Sequence, residues 1–160
     1  MNKNLRNFKP EDSIFIDEML VQIPEFDLED KNLAIELLRF VIEQPNQKDY
    51  IFLVFADSDN RPVGFACYGP TPLTKGTFDL YWIAVNPAYS GQGIGTFLLK
   101  TVEERIMKEK GRMLVIETSS DPKYARTRNF YLKNGYVLAE CLHDFYQDGE
   151  DRVTYTKRLL

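Results

Sequence analysis

At 160 residues, with 44% hydrophobic and 28% charged side chains, the chain has enough material for one globular domain with a buried core. The 20 basic and 24 acidic residues leave a net charge of −4, which argues against a general nucleic-acid or membrane-surface binder, since both need a basic face. No apolar run approaches the length of a spanning helix, and Met1-Asn2-Lys3-Asn4 does not read as a signal peptide, so a cytoplasmic single domain over 1–160 is expected, monomeric or homodimeric.

In chain order, Leu5–Phe8 reads as a short strand. Pro10-Glu11-Asp12 then opens a helix with Ile14, Phe15, Met19 and Leu20 at helical spacing, broken by Pro24. A second helix is expected from about Leu28 to Ile42, with Ala34, Leu37, Leu38 and Val41 on one face. Tyr50–Ala56 and Pro62–Tyr68 form a hairpin about Asp57-Ser58-Asp59-Asn60, and a loop over Gly69–Gly76 leads to a strand over Thr77–Val85. Leu98, Leu99, Val102 and Ile106 line one face of the next helix, for which Gly111 reads as a C-cap. A strand over Met113–Thr118, a helix over Pro122–Lys133, and two strands (Tyr136–Leu142 and Arg152–Lys157) about Gln147-Asp148-Gly149-Glu150 close the chain. The order β-α-α-β-β-β-α-β-α-β-β places mixed strands and helices around one sheet.

Cys67 and Cys141 read as buried thiols of a reduced protein rather than a disulfide. His143 is the only histidine, and no Cys/His cluster is visible, so neither a metal site nor a Ser-His-Asp triad is expected.

The informative stretch runs from Trp82 to Thr96: a strand, a turn at Pro87, a glycine-rich loop and a helix start near Ile94. Such a loop leaves backbone N–H groups without partners at the positive end of a helix, which suits a phosphate or pyrophosphate. Gly91, Gly93 and Gly95 space as G-x-G-x-G, not as the G-x-G-x-x-G of a dinucleotide fold, and Gly95-Thr96 lacks the lysine of a nucleotide-triphosphate loop.

This pattern resembles motif A of the GNAT acetyltransferase superfamily, an Arg/Gln-x-x-Gly-x-Gly/Ala loop after a strand ending in Ala-Val-x-Pro. Gly93 and Gly95 fill the small positions and Ala84-Val85-Asn86-Pro87 the strand end, while Ser90 replaces the usual Arg or Gln, with Gln92 a partial substitute. Asn129-Phe130-Tyr131-Leu132-Lys133-Asn134-Gly135-Tyr136 resembles motif B, although Tyr124 stands where many members carry a coenzyme-contacting Asn. The resemblance covers essentially the whole chain. It implies an α/β (α+β) GNAT fold: a central, mixed, mostly antiparallel twisted sheet of about six or seven strands flanked by about four helices.

The resemblance also implies an acetyl-coenzyme A-dependent N-acetyltransferase, working by direct attack of a primary amine in a ternary complex. A non-catalytic acyl-coenzyme A sensor and a transferase of longer acyl groups remain alternatives. Gly91, Gln92, Gly93, Ile94, Gly95 and Thr96 would hold the pyrophosphate, and the backbone of Ile83, Ala84 and Val85 the acetyl group and pantetheine arm. Tyr131 matches the tyrosine that faces the leaving sulfur; its alternative is core packing. Asp79 stands where histone-acetylating members carry a glutamate base, and counting by two it shares a face with Tyr81, Ile83 and Val85. An exposed strand-start aspartate is the competing reading. Arg126, Arg128 and Lys133 read as a solvated basic face. Asp144, Asp148, Glu150 and Asp151, with Phe145 and Tyr146 between them, concentrate acid around the last hairpin, a pattern similar to N-alpha-acetyltransferases acting on protein N-termini. Tyr81, Tyr146 and Asp144 are therefore candidates for contact with a small amine or a peptide N-terminus.

Overall fold

The computed structural model describes residues 4–160. Its strands are β1 (Leu5–Asn7), β2 (Ile51–Ala56), β3 (Pro62–Pro70), β4 (Thr77–Val85), β5 (Met113–Ser119), β6 (Val137–Gln147) and β7 (Glu150–Arg158), and its helices α1 (Ser13–Gln22), α2 (Leu28–Glu43), α3 (Ile94–Lys108) and α4 (Ala125–Lys133). The strands form one seven-stranded sheet in the order β1-β2-β3-β4-β5-β7-β6. The β1–β2, β2–β3, β5–β7 and β6–β7 pairs are antiparallel, and β4–β5 is parallel. That parallel pair follows from α3, which crosses between the two strands in the chain. Among the described residues no helix is long and apolar enough to cross a membrane.

The chain forms two compact units. One holds residues up to Gly69 together with Trp82–Val102, and the other holds Pro70–Tyr81 together with Glu103–Leu160. In the first, Ile16, Met19 and Leu20 of α1, Ile23 just after it, and Ala34 and Leu38 of α2 bury against Phe52, Val54, Phe65, Cys67 and Ala84. Ile16 replaces Ile14 of the expected stripe, and Ile14 is exposed. Pro10–Asp12 form a separate 3₁₀ turn, so α1 begins at Ser13 and presents Ile16, Met19 and Leu20 inward. Asp27 caps α2, accepting the Asp30 N–H at 2.9 Å while Asp30 accepts the Asp27 N–H at 3.0 Å.

In the second unit, Ile106, Leu114 and Ile116 are fully buried and Phe78 and Leu80 nearly so. The end of α3 differs from expectation. Lys110 adopts the left-handed conformation (φ 62°), while Gly111 donates its N–H to the Ile106 carbonyl at 2.8 Å. What Gly111 supplies is space, since a Cβ there would lie 2.2 Å from Ile106 Cγ2 and 2.9 Å from the Ile106 carbonyl oxygen. Gly111→Ala is expected to destabilise the fold by about 1–3 kcal/mol, read as a lower urea midpoint at unchanged m-value. An unchanged midpoint would show that the chain relaxes freely there.

The last hairpin is longer than expected, because β6 runs to Gln147 and only Asp148 and Gly149 remain as the turn. β6 is an edge strand and every one of its residues is exposed, so polar side chains there break no buried pattern. Cys141 is consequently exposed, against the expectation of a buried thiol, whereas Cys67 is buried.

Candidate functional site

Asn86 organises the turn after β4. Its N–H donates to the Val63 carbonyl at 2.8 Å, and its side chain accepts the Ala88 N–H at 2.9 Å, starting the 3₁₀ turn Pro87–Tyr89. Gly91 and Gly93 follow, both with φ +79°, and Phe97 closes the first helical hydrogen bond of α3 onto the Gly93 carbonyl at 3.0 Å. The N–H groups of Ile94, Gly95 and Thr96 therefore belong to the first turn, which lacks intrahelical acceptors. Gly91, Gln92 and Gly93 are exposed, while the Ile94 side chain is buried. Only the backbone of Ile94 is therefore open to a ligand at the loop.

Gly64, which the sequence reading passed over, seats this helix start on β3. A Cβ there would meet Ile94 Cγ2 at 3.1 Å, Leu98 Cδ1 at 3.2 Å and the Ala84 carbonyl oxygen at 3.3 Å. Its signal was a lone glycine inside an apolar strand, which marks a close approach. A cleft of about 440 Å³ also opens beside the loop, lined by Phe55, Asp57, Asp59, Tyr89, Gln92 and Gly93. Its two carboxylates, from Asp57 and Asp59, disfavour an anion in this cleft.

Burial alternates at the start of β4, with Phe78 and Leu80 buried and Asp79 half-buried, and Tyr81 is 37% exposed. The parallel ladder pairs Thr77–Leu80 with Met113–Ile116 and ends there. Peptide groups alternate between the two edges of a strand. Because the Asn86 N–H faces β3, the peptide groups of Ile83 and Val85 face the opposite edge, beyond the end of the ladder. Ala84 packs its side chain into the α1–α2 core. Asp79 lies inside the ladder, opposite Val115, and its Oδ2 accepts the Thr71 hydroxyl at 2.6 Å. At about 3.3 Å per residue, it stands roughly 13 Å along the strand from Ile83.

α4 follows a 3₁₀ turn at Pro122–Tyr124 that Asp121 caps, accepting the Lys123 N–H at 2.8 Å. Arg128, expected on a solvated face, instead donates to the carbonyls of Ser119 and Asp121 at 2.7 and 2.8 Å, tying α4 to the end of β5. Arg126 and Lys133 are exposed, as read. Tyr131 is 5% exposed and touches the rings of Phe130, Tyr136 and Tyr155. Burial pushes its phenol well above the ordinary tyrosine range, so it is protonated at neutral pH. Its hydroxyl makes no hydrogen bond among the described residues, unlike that of Tyr136, which donates to Glu103 at 2.8 Å. Lys157 donates to both Glu103 oxygens (3.0 and 2.9 Å) and to the Asn134 carbonyl at 3.0 Å. This partly buried network anchors the end of α4 one turn beyond Tyr131.

On the last hairpin, Tyr146 is exposed, and Asp144 Oδ1 accepts the Gly149 N–H at 2.7 Å, so Asp144 braces the turn. The hairpin also assembles a cluster that chain spacing concealed: one ligand-capable atom from each of Cys141, His143 and Asp151, all within 4.8 Å of one another.

A family model described as the acetyltransferase (GNAT) family matches residues 15–136. The chain is 32% identical over 104 residues to an uncharacterised N-acetyltransferase of Methanocaldococcus jannaschii, a match covering 64% of each protein. It is also 32% identical over 100 residues to an S-alkylcysteine N-acetyltransferase of Bacillus subtilis, covering 61% of this chain and 53% of that protein. The matches thus span less than two thirds of these curated relatives. A crystal structure of a protein from Desulfovibrio desulfuricans assigned to the GNAT family superposes with a TM-score of 0.93 at 35% identity over 98% of both chains.

Proposed function

This chain belongs to the GNAT acetyltransferase family, and from that premise we propose that it moves the acetyl group of acetyl-coenzyme A to a primary amine, with residues 1–160 acting as one catalytic domain. The observation that carries this reading is the strand-to-helix junction. The Gly91–Thr96 loop offers the N–H groups at the head of α3 to a pyrophosphate, and the Ile83 and Val85 peptide groups face an edge free to bind the pantetheine arm and the thioester oxygen.

The chemistry asks for three things. A neutral amine nitrogen bonds to the thioester carbon, and the Ile83 N–H stabilises the oxyanion that develops. The C–S bond then breaks, and Tyr131 donates its phenolic proton to the departing thiolate. Asp79, set well back along β4, takes the ammonium proton through a relaying water. No metal enters this transfer.

The acceptor is proposed to be a cationic primary amine, either a small molecule or a peptide N-terminus. The S-alkylcysteine N-acetyltransferase relative supports an amine on a small molecule. The exposed acid and aromatic surface of the last hairpin, with Tyr81 and Tyr146, supports a cation. Thiol release from acetyl-coenzyme A across a panel of amines and peptides tests the whole proposal. Turnover of cationic primary amines is expected, and donor binding without turnover of any amine would leave a sensor instead. Asp148→Lys is expected to raise KM for the preferred amine about 2–5-fold with little change in kcat, and added salt to mimic it. A KM indifferent to both would make the hairpin a solvated turn.

A further inference from the structure

Cys141 and His143 are two residues apart on β6 and therefore project from the same side of the strand. The regular pairing Cys141↔Val153, Leu142↔Arg152 ends at Leu142, where the register shifts, and Asp151 follows next on β7, close to His143. His143 Nδ1 lies 3.0 Å from Asp151 Oδ2, and Cys141 Sγ lies 3.5 Å from the same oxygen. A tetrahedral zinc ion with thiolate, imidazole and carboxylate ligands requires donor atoms roughly 3.3–3.6 Å apart. The cluster thus needs only small side-chain shifts to close on an ion, and the exposed Cys141 and His143 are free to make them.

Asp151 is held from behind. Its Oδ1 accepts the Asp144 N–H at 3.0 Å, its own N–H donates to Ser120 Oγ at 2.8 Å, and its carbonyl accepts the Ser120 N–H at 2.9 Å. Oδ2 is left directed at the other two donors, which is the arrangement that orients a ligating carboxylate. We propose that Cys141, His143 and Asp151 bind one divalent transition-metal ion of the zinc class on the β6–β7 hairpin. The thiolate and imidazole select against magnesium and calcium, and thiolate plus carboxylate neutralise a dication. Three protein ligands on an exposed hairpin leave the fourth position to water or an incoming donor. This site is independent of the acetyl-transfer reading.

The composition makes the test unambiguous. His143 is the only histidine, and Cys67 is fully buried, so in tag-free folded protein a thiol reagent reports on Cys141. Phosphine-reduced, chelator-free protein is titrated with zinc chloride by calorimetry, and separately with cobalt chloride by absorption. Saturable uptake of one ion per chain is expected, with a near-ultraviolet thiolate-to-cobalt band and slower labelling of Cys141 that a chelator reverses. Cys141→Ser should abolish the band, and His143→Ala should weaken zinc binding at least about 10-fold. His143 is 81% exposed, so its replacement leaves the fold intact. Absence of saturable uptake at millimolar zinc, or uptake equal in both variants and the wild type, would overturn the site.

Discussion

Tyr131→Phe is expected to lower kcat by about 10²-fold while leaving acetyl-coenzyme A affinity nearly unchanged. The substitution keeps the ring that packs on Phe130, Tyr136 and Tyr155 and removes only a hydroxyl with no hydrogen bond among the described residues. Packing and thermal stability should therefore hold, and any loss of rate reports on the proton. Tyr136→Phe is the control, since its hydroxyl is committed to Glu103 and its removal leaves a buried carboxylate one donor short. That variant should lose stability and retain kcat per folded molecule. Steady-state thiol release beside a thermal melt separates the two effects. Near-wild-type kcat in folded Tyr131→Phe would make Tyr131 a core residue.

Gly93→Val is expected to weaken acetyl-coenzyme A binding by about 10²-fold or more. Two effects contribute, and they can be measured separately. At φ +79° a β-branched residue is strained by about 1–2 kcal/mol, which appears in the unfolding free energy. Apart from its two chain neighbours, no atom of the described residues lies within 4 Å of a Cβ at this position, so the folded protein has room for the side chain, and a ligand drawn up to the loop would meet it. Gly93→Ala carries strain with little bulk, and Gly93→Val carries both. Calorimetry on the pair should therefore show a larger loss for Val than the difference in their stabilities explains. Unchanged affinity in Gly93→Val would remove the loop from the donor site.

Most of the architecture was legible in the sequence, because local chemistry decides it. Asn86-Pro87, the glycines of the loop and the helical stripe Leu98, Leu99, Val102, Ile106 place β4, the loop and α3 within a residue or two, and all eleven elements occur in the expected order. The motif residues of the loop and α4 were legible for the same reason, since their positions relative to a helix end are set by the chain itself. Where the reading slipped, the cause was contact across elements. Gly111 looked like a conformational cap, but Lys110 takes the left-handed position and Gly111 yields room to Ile106. Arg128 looked solvated until α4 came to rest beside the carbonyls at the end of β5.

The sequence by itself determined the family, the element order and the loop that presents backbone N–H groups at a helix head, because these depend on residues adjacent in the chain. Only the tertiary structure decided which tyrosine hydroxyl is committed and which is not. Tyr131 and Tyr136 are equally apolar neighbours in sequence, and the difference is Glu103, brought from α3 to one of them. It also decided that Cys141, His143 and Asp151 meet. Period-two alternation on β6 aligns the first two, but the third arrives through antiparallel pairing with β7, and pairing register is a property of the folded sheet.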